Sequence, residues 1–332
     1  MMELQCTKSH RDPNRGRKKE RQMQISLLLA QQIAQLFLIL LMGYVIVKAG
    51  LLKASDSKVI SVLMVYLVCP CMILNAFQIE DTPAIRRGLV YAMIVAAAMH
   101  IVLLAVTALL HRPLKLDAVE QVNTVYSNAG ALVIPLVQAL LGSEYVIYSC
   151  AFIIVQTVLI WTHANTCLQG SFSFQWKKLF GNVNILAILA GMLLYLLHLT
   201  LPEMLQNTVN SMGSMIGPIG MLLAGMAIAE SPLRRVFCTK RNYLVAALRL
   251  LVCPLLILLL LWAAHAQTFV ADGKNILMTV YLAAITPACT TITSMAQLYD
   301  RDAAHSSALY VLTTLLSIVT MPVMIGLFDL LM

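Results

Sequence analysis

The sequence predicts an all-α polytopic membrane protein with ten transmembrane helices. Hydrophobic residues make up 60% of its 332 residues, charged residues make up 11%, and the mean hydropathy is +0.83. A soluble domain of this length would need more polar surface. Apolar stretches of roughly 20 residues, the length that crosses a hydrocarbon core about 30 Å thick, recur along almost the whole chain. Because lipid cannot hydrogen-bond to the backbone, these stretches must be helices within the lipid bilayer.

The ten spans are separated by short hydrophilic gaps. In chain order they are predicted at residues 24–47, 58–77, 88–110, 118–141, 145–168, 179–199, 206–229, 243–265, 275–298 and 303–331.

These spans divide the chain into four parts. Residues 1–23 form a basic polar tail, 24–168 a first five-helix repeat, 169–177 a cytoplasmic linker, and 178–332 a second five-helix repeat. An odd number of spans in each half makes the second half enter the membrane from the opposite side. We therefore expect an inverted five-plus-five repeat.

Basic residues are distributed unevenly between the gaps. The odd-numbered gaps contain 12 Lys and Arg residues and the even-numbered gaps contain 3. By the positive-inside rule the odd gaps are cytoplasmic and both termini lie outside a plasma or inner membrane. The tail, with 7 Lys and Arg, favours the opposite orientation. We give the loops more weight because their asymmetry repeats across five gaps.

Several function classes lack their motifs. The basic residues lie in short loops and the tail, so the net charge of +8 does not indicate nucleic-acid binding. There is no metal-ligand spacing among the eight cysteines, no His-Glu-x-x-His, no Gly-x-Ser-x-Gly and no phosphate-binding Gly-x-x-x-x-Gly-Lys loop. We expect no metal, no cofactor, no enzymatic activity and no ATP-driven step.

Two spans are interrupted at corresponding places. Ser127-Asn128-Ala129-Gly130 breaks the fourth span, and Thr286-Pro287-Ala288-Cys289 breaks the ninth. Paired interruptions in the two halves indicate a transporter binding site, since unwound backbone and half-helix N-termini attract an anion. Ser127, Thr286 and Thr290 would add hydroxyls, and Asn128 an amide that donates and accepts. For either break alone, a simple kink at Gly130 or Pro287 is the alternative.

Two ionisable residues inside the spans are further candidates. Arg249 lies within the eighth span and is a potential counter-charge for an anion, although it could instead extend to the membrane surface. His163 follows the first break in the next span and could line the same cavity or simply pack. No carboxylate lies at mid-membrane depth, so coupling through histidine or downhill export stays open.

Several motifs now carry a family resemblance. They are Tyr126-Ser127-Asn128-Ala129-Gly130 leading to Ile134-Pro135-Leu136, Leu141-Gly142-Ser143-Glu144, Gly43-Tyr44, Leu223–Ala229, and Tyr299-Asp300-Arg301-Asp302. In this order and spacing, from about residue 24 to 331, the sequence resembles the auxin efflux carrier family. That family includes plant PIN proteins and bacterial malate and malonate permeases.

The resemblance implies an inverted repeat in which the broken fourth and ninth helices cross, with elevator-like alternating access. It also implies that Asn128 contacts the substrate and that Pro287 is the proline of the ninth-helix break. We therefore expect a secondary transporter of a small organic carboxylate, such as malate, malonate or an auxin-like acid. Homodimerisation and coupling to protons are left open. The alternative is a membrane receptor that binds a ligand without transporting it and signals through a partner.

Overall fold

The computed structural model describes residues 38–53, 56–79, 82–170, 183–230 and 233–332, together with Gln35 and Gly181. The predicted tail at 1–23 lies outside these residues, as does most of the predicted linker at 169–177. Across the described residues the regular elements are helices, and no β-strand is present. The all-α prediction is confirmed.

In the described residues, the first half has eight α-helical segments. They are α1 (Leu38–Lys48), α2 (Ser57–Leu63), α3 (Cys69–Ala76), α4 (Pro83–Leu110), α5 (Ala118–Val125), α6 (Ala129–Leu140), α7 (Val146–Leu159) and α8 (Asn165–Gln169). A π-helical turn at Met64–Val68 joins α2 to α3, and another at Ile160–Ala164 joins α7 to α8.

The described part of the second half has nine α-helical segments. They are α9 (Val183–Leu196), α10 (Glu203–Gly213), α11 (Ile216–Glu230), α12 (Leu233–Cys238), α13 (Lys240–Ala247), α14 (Cys253–Ala263), α15 (Gly273–Ile285), α16 (Thr290–Leu298) and α17 (Ala303–Leu331). A π-helical turn at Leu248–Val252 joins α13 to α14.

Within the part of the chain that the structure describes, four continuous helical stretches are long and apolar enough to cross a membrane. They are Pro83–Leu110, Ser143–Gln169, Lys240–Ala263 and Ala303–Leu331. They correspond to the predicted third, fifth, eighth and tenth spans. The predicted fourth and ninth spans are each divided, into α5 and α6 and into α15 and α16. A multi-pass membrane protein follows from these elements.

Two of the π-helical turns directly precede a proline. Pro70 and Pro254 are near the starts of α3 and α14, immediately after the turns at Met64–Val68 and Leu248–Val252. Proline has no N–H and its ring clashes with the carbonyl four residues earlier. The wider turn accommodates that defect without ending the helix. In the eighth span this turn contains Arg249.

Helix α15 lies at the centre of the bundle. It is buried on every face, including each residue from Ile276 to Ile285. Helices α4, α6, α7, α14 and α17 pack around it. A helix that is apolar on all sides is stable only when other helices surround it, so α15 and its C-terminal break are held rigidly by the core.

A second group of helices packs more peripherally. Helix α3 contacts α9 and α10, and α11 contacts α2. The backbones of α11 and α1 are also in close contact. A Cβ placed on Gly225 would lie 1.9 Å from the carbonyl oxygen of Leu40. A Cβ on Gly43 would lie 2.3 Å from that of Leu222. This close packing requires glycine at both positions.

Candidate functional site

The two interrupted segments are hydrogen-bonded to each other. Ser127 and Ala288 form an antiparallel β-bridge. The Asn128 N–H donates to the Pro287 carbonyl at 2.8 Å, and the Cys289 N–H donates to the Tyr126 carbonyl at 3.2 Å. Backbone groups released by each break are thus satisfied by the other, as a membrane interior requires. The sequence predicted both interruptions, and the structure brings them into contact.

Gln156 on α7 fixes the first break. Its Oε1 accepts from the Ser127 N–H at 3.0 Å and from the Ser127 hydroxyl at 2.7 Å. Its Nε2 donates to the Ser127 carbonyl at 2.8 Å. One side-chain amide therefore occupies both backbone polar groups and the side chain of Ser127, which is fully buried.

The second break is supported in a related way. Thr313 on α17 accepts from the Ala288 N–H through its hydroxyl at 3.1 Å. Thr286 is extended and buried, and its hydroxyl donates to the Ala283 carbonyl at 3.0 Å. In each half of the chain, a polar side chain from the next transmembrane helix, α7 or α17, thus holds the unwound backbone.

Arg249 joins the ends of both interrupted helices. Its Nε and Nη2 donate to the Thr286 carbonyl at 3.2 and 3.0 Å, and Nη2 also donates to the Ala284 carbonyl at 2.7 Å. Its Nη1 donates to the carbonyls of Thr124 and Val125 at 3.1 and 3.0 Å. These bonds use all five guanidinium N–H donors.

The Arg249 charge is balanced by helix ends. Its partners are the last carbonyls of α5 and α15, and each helix C-terminus carries about half a negative charge. Two such ends together offset about one positive charge. Arg249 has 0% exposure and so does not extend to the membrane surface. In this conformation no N–H of Arg249 is left for a ligand, and its predicted role as a counter-charge stays a prediction.

Each break is followed by a helix, α6 or α16. The N-terminus of that helix carries partial positive charge, opposite to the helix C-termini that Arg249 binds. Asn128 is the N-cap of α6, but its side chain makes no capping hydrogen bond and is 6% exposed. Gly130 lies in the first turn of α6, and Thr290 is the exposed first residue of α16. The first turn of a helix has N–H groups without helical partners. The Asn128 amide and the N–H groups of Gly130 and Thr290 can therefore donate to an anion.

His163 is linked to the first break through one residue. Its Nδ1 lies 2.9 Å from the Tyr126 hydroxyl, and its Nε2 lies 3.5 Å from the Cys167 thiol. The Tyr126 hydroxyl also donates to the Leu159 carbonyl at 3.1 Å. His163 is therefore placed beside the site by the π-helical turn Ile160–Ala164, in contact with Tyr126 rather than with Asn128.

Away from the breaks, charged and polar side chains connect the N-terminal ends of α5, α13 and α17. Glu120, which is 2% exposed, accepts two hydrogen bonds from Arg241, with Nε–Oε1 at 2.6 Å and Nη2–Oε2 at 2.7 Å. His305 Nε2 lies 3.4 Å from the same carboxylate, and Asp117 completes a capping box with Glu120. Asp117, Glu120 and His305 have the donor types of a metal site. The hydrogen bonds to Glu120 and Asp117 account for these groups without a metal.

Comparison with known families was made on this basis. The chain matches the family described as membrane transport protein over residues 28–171 and again over residues 167–325. These two ranges cover most of the sequence. The chain belongs to the auxin efflux carrier family of membrane transport proteins. A search of curated proteins returned no match.

Membership in this transporter family agrees with the prediction that the chain is not an enzyme. It also supports a location in a membrane with several spans. Sequence reasoning missed Gln156 and Thr313, which hold the breaks, and the contact between Tyr126 and His163. Gln156 did carry a signal, because an amide in the middle of an apolar helix needs a partner.

Proposed function

We propose that this protein is a secondary transporter of a small organic carboxylate, such as malate, malonate or an auxin-like acid. The acid binds between the first turns of α6 and α16. Asn128 contacts the carboxylate directly, and Gly130 and Thr290 contribute first-turn N–H groups. Ser127, Thr286 and Pro287 form the backbone support of this site, and His163 lines its edge.

One observation carries the proposal. The two breaks are paired so that α5 and α15 direct their C-termini at Arg249. The N-termini of α6 and α16 carry partial positive charge, and no ion pair among the described residues places a carboxylate against them. Since the negative helix ends are already neutralised, the remaining field at the break favours an anion. Membership in a family of membrane transport proteins supports the use of this site for a transported anion.

For the whole molecule we propose ten helices in an inverted five-plus-five repeat with the two broken helices crossing, both termini outside, and elevator-like movement. The packing supports a division into two bodies. Helices α4, α7, α15 and α17 pack within one group, and α3, α9 and α10 pack within another. Movement of the first group past the second would carry the site across the membrane.

The site is tested by a thermal-shift screen of the detergent-purified protein against mono- and dicarboxylates and indole acids. A ligand that binds only the native state stabilises it by RT ln(1 + [L]/Kd). At about 100 times Kd this amounts to about 2.7 kcal/mol. We expect one acid class to raise the melting temperature of the wild type and of the control Asn207→Ala, but not of Asn128→Ala. Asn207 is exposed on α10, far from the breaks in sequence.

Two results would count against this proposal in different ways. A shift that survives in Asn128→Ala would place the acid elsewhere in the protein. Binding without any movement of the acid across liposomes would favour the receptor alternative.

A further inference from the structure

His100 is a buried ionisable group that the site described above does not use. It lies in the middle of α4 and is 1% exposed. Its Nδ1 is 2.8 Å from the Ala96 carbonyl, so Nδ1 carries the proton in that hydrogen bond. Its Nε2 is then the free acceptor of a neutral imidazole, and in the described part of the chain it has no hydrogen-bond partner. Such an unpaired buried polar atom needs an explanation.

The imidazole of His100 faces the side chain that clamps the first break. Its ring lies on Phe152 of α7, with ring centroids 4.4 Å apart. Gln156 is one helical turn after Phe152 on the same face. Gln156 is also among the side chains that interact with the imidazole. A short path therefore connects His100 to Ser127 through one amide.

We propose that His100 is the proton-coupling residue of this transporter and that Gln156 transmits its protonation state to the first break. This inference rests on the proposed function, because it names the coupling ion of that same site. A proton taken from water adds to Nε2 of His100 and converts it from an acceptor into a donor. The acceptor of the Gln156 side chain is Oε1, which in the present structure accepts from the Ser127 N–H and hydroxyl. Protonation thus competes with Ser127 and releases its two donors toward a carboxylate.

Electrostatics links the proton to the anion. Arg249 is the charged side chain that acts on His100. The helices packed against α4 carry other titratable groups, namely Tyr148 and Cys150 on α7, Glu120 on α5, Cys253 on α14, and Lys274 and Tyr281 on α15. Glu120 is paired with Arg241, and Lys274 with Asp329. On α4 itself, Arg86, Arg87 and Tyr91 lie more than two turns away from His100.

Arg249 repels a second positive charge on His100, and a carboxylate bound at the breaks offsets that repulsion. Binding of the acid therefore favours protonation of His100, and protonation favours binding of the acid by the same factor. The predicted outcome is movement of a proton together with the carboxylate.

Proteoliposomes separate coupling from binding. Labelled malate, malonate and indole-3-acetate are each followed in two assays, exchange without a pH gradient and uptake driven by a gradient of one pH unit. One coupled proton supports about tenfold accumulation per pH unit. We expect the wild type and the control His111→Gln to accumulate the acid. His111 also bonds a backbone carbonyl, but at the end of α4. We expect His100→Gln to exchange the acid but to lose the gradient-driven accumulation.

The outcomes distinguish the two proposals. Accumulation that persists in His100→Gln, or wild-type uptake that does not respond to the pH gradient, overturns the role of His100 and leaves the transporter proposal standing. Absence of exchange for every acid in the wild type contradicts the transporter proposal itself. If His100→Gln does not fold, a pH dye trapped in wild-type vesicles decides. Addition of the acid that the wild type exchanges must acidify the lumen above the rate of protein-free vesicles, and no acidification overturns the inference.

Discussion

Arg249 connects the two interrupted helices to each other. It is fully buried, and its five donors bind four carbonyls at the ends of α5 and α15. An isolated buried guanidinium would be very costly in lipid. The two helix ends supply the compensating partial charges, so Arg249 and the two breaks stabilise one another.

Replacing Arg249 with lysine tests this role. Lysine has three donors and cannot reproduce the planar arrangement. At least two of the five hydrogen bonds are lost, and each orphaned buried carbonyl costs about 1–3 kcal/mol. We expect the melting temperature of Arg249→Lys in detergent, measured by heating followed by size-exclusion chromatography, to fall clearly below the wild type. Arg112→Lys, at an exposed position, is the control. Equal melting temperatures for the two variants would mean that the carbonyl contacts contribute little.

Individual site residues were predictable where a polar or charged residue interrupts an apolar span. Asn128, Thr286 and Arg249 stand out because polar groups are rare in apolar spans. The partners of Ser127 were not predictable. Gln156 is separated from Ser127 by 29 residues, and nothing local in the sequence shows that its amide turns toward the break. Tertiary packing of α7 against α6 brings the two residues together.

At the level of elements, backbone contacts between helices depend on glycine. Helix α11 approaches α1 so closely that a methyl group on Gly225 would lie within 1.9 Å of the Leu40 carbonyl and 2.7 Å of the Tyr44 nitrogen. Both contacts are to backbone atoms, so no side-chain rotation can relieve them. The helices would have to separate.

Gly225→Ala is therefore expected to destabilise the protein although alanine is the better helix former. Overpacking of this kind costs typically about 1–3 kcal/mol. The control is Gly326→Ala on α17, where an added Cβ meets no atom within 4 Å. There the gain in helix propensity is about 0.5–1 kcal/mol. The two variants should shift the melting temperature in opposite directions, and a decrease of similar size in both would contradict the packing argument.

Helix boundaries show which local rules the hydropathy pattern overlooks. The third span was predicted to begin at residue 88, whereas α4 begins at Pro83. Thr82 caps it by accepting from the Ile85 N–H, and proline suits the first helical position. Arg86 and Arg87 lie within this first part of the helix. Their charges lower its hydropathy, so the start of the span was predicted too late in the chain. The π-helical turns were also not predicted, because their residues are about as apolar as those of the α-helices on either side.

For the whole molecule, composition was enough to predict an all-helical membrane protein, and the family match agrees. The pairing of the two breaks is the feature on which the account of function depends. Sequence placed an interruption in each half, but only the folded chain shows that Asn128 and Pro287 are in contact. Sidedness and the ten-helix inverted repeat stay predictions.

Exchange of a labelled carboxylate in proteoliposomes shows whether the paired breaks bind the acid. Wild type, Asn128→Ala and Asn207→Ala are reconstituted at equal density, loaded with unlabelled malate, malonate or indole-3-acetate, and exposed to the same labelled acid outside. We predict exchange by the wild type and by Asn207→Ala, reduced at least about tenfold in Asn128→Ala, which corresponds to about 1.4 kcal/mol or more of lost binding. Exchange at the wild-type rate by Asn128→Ala would show that the paired breaks are not the carboxylate site.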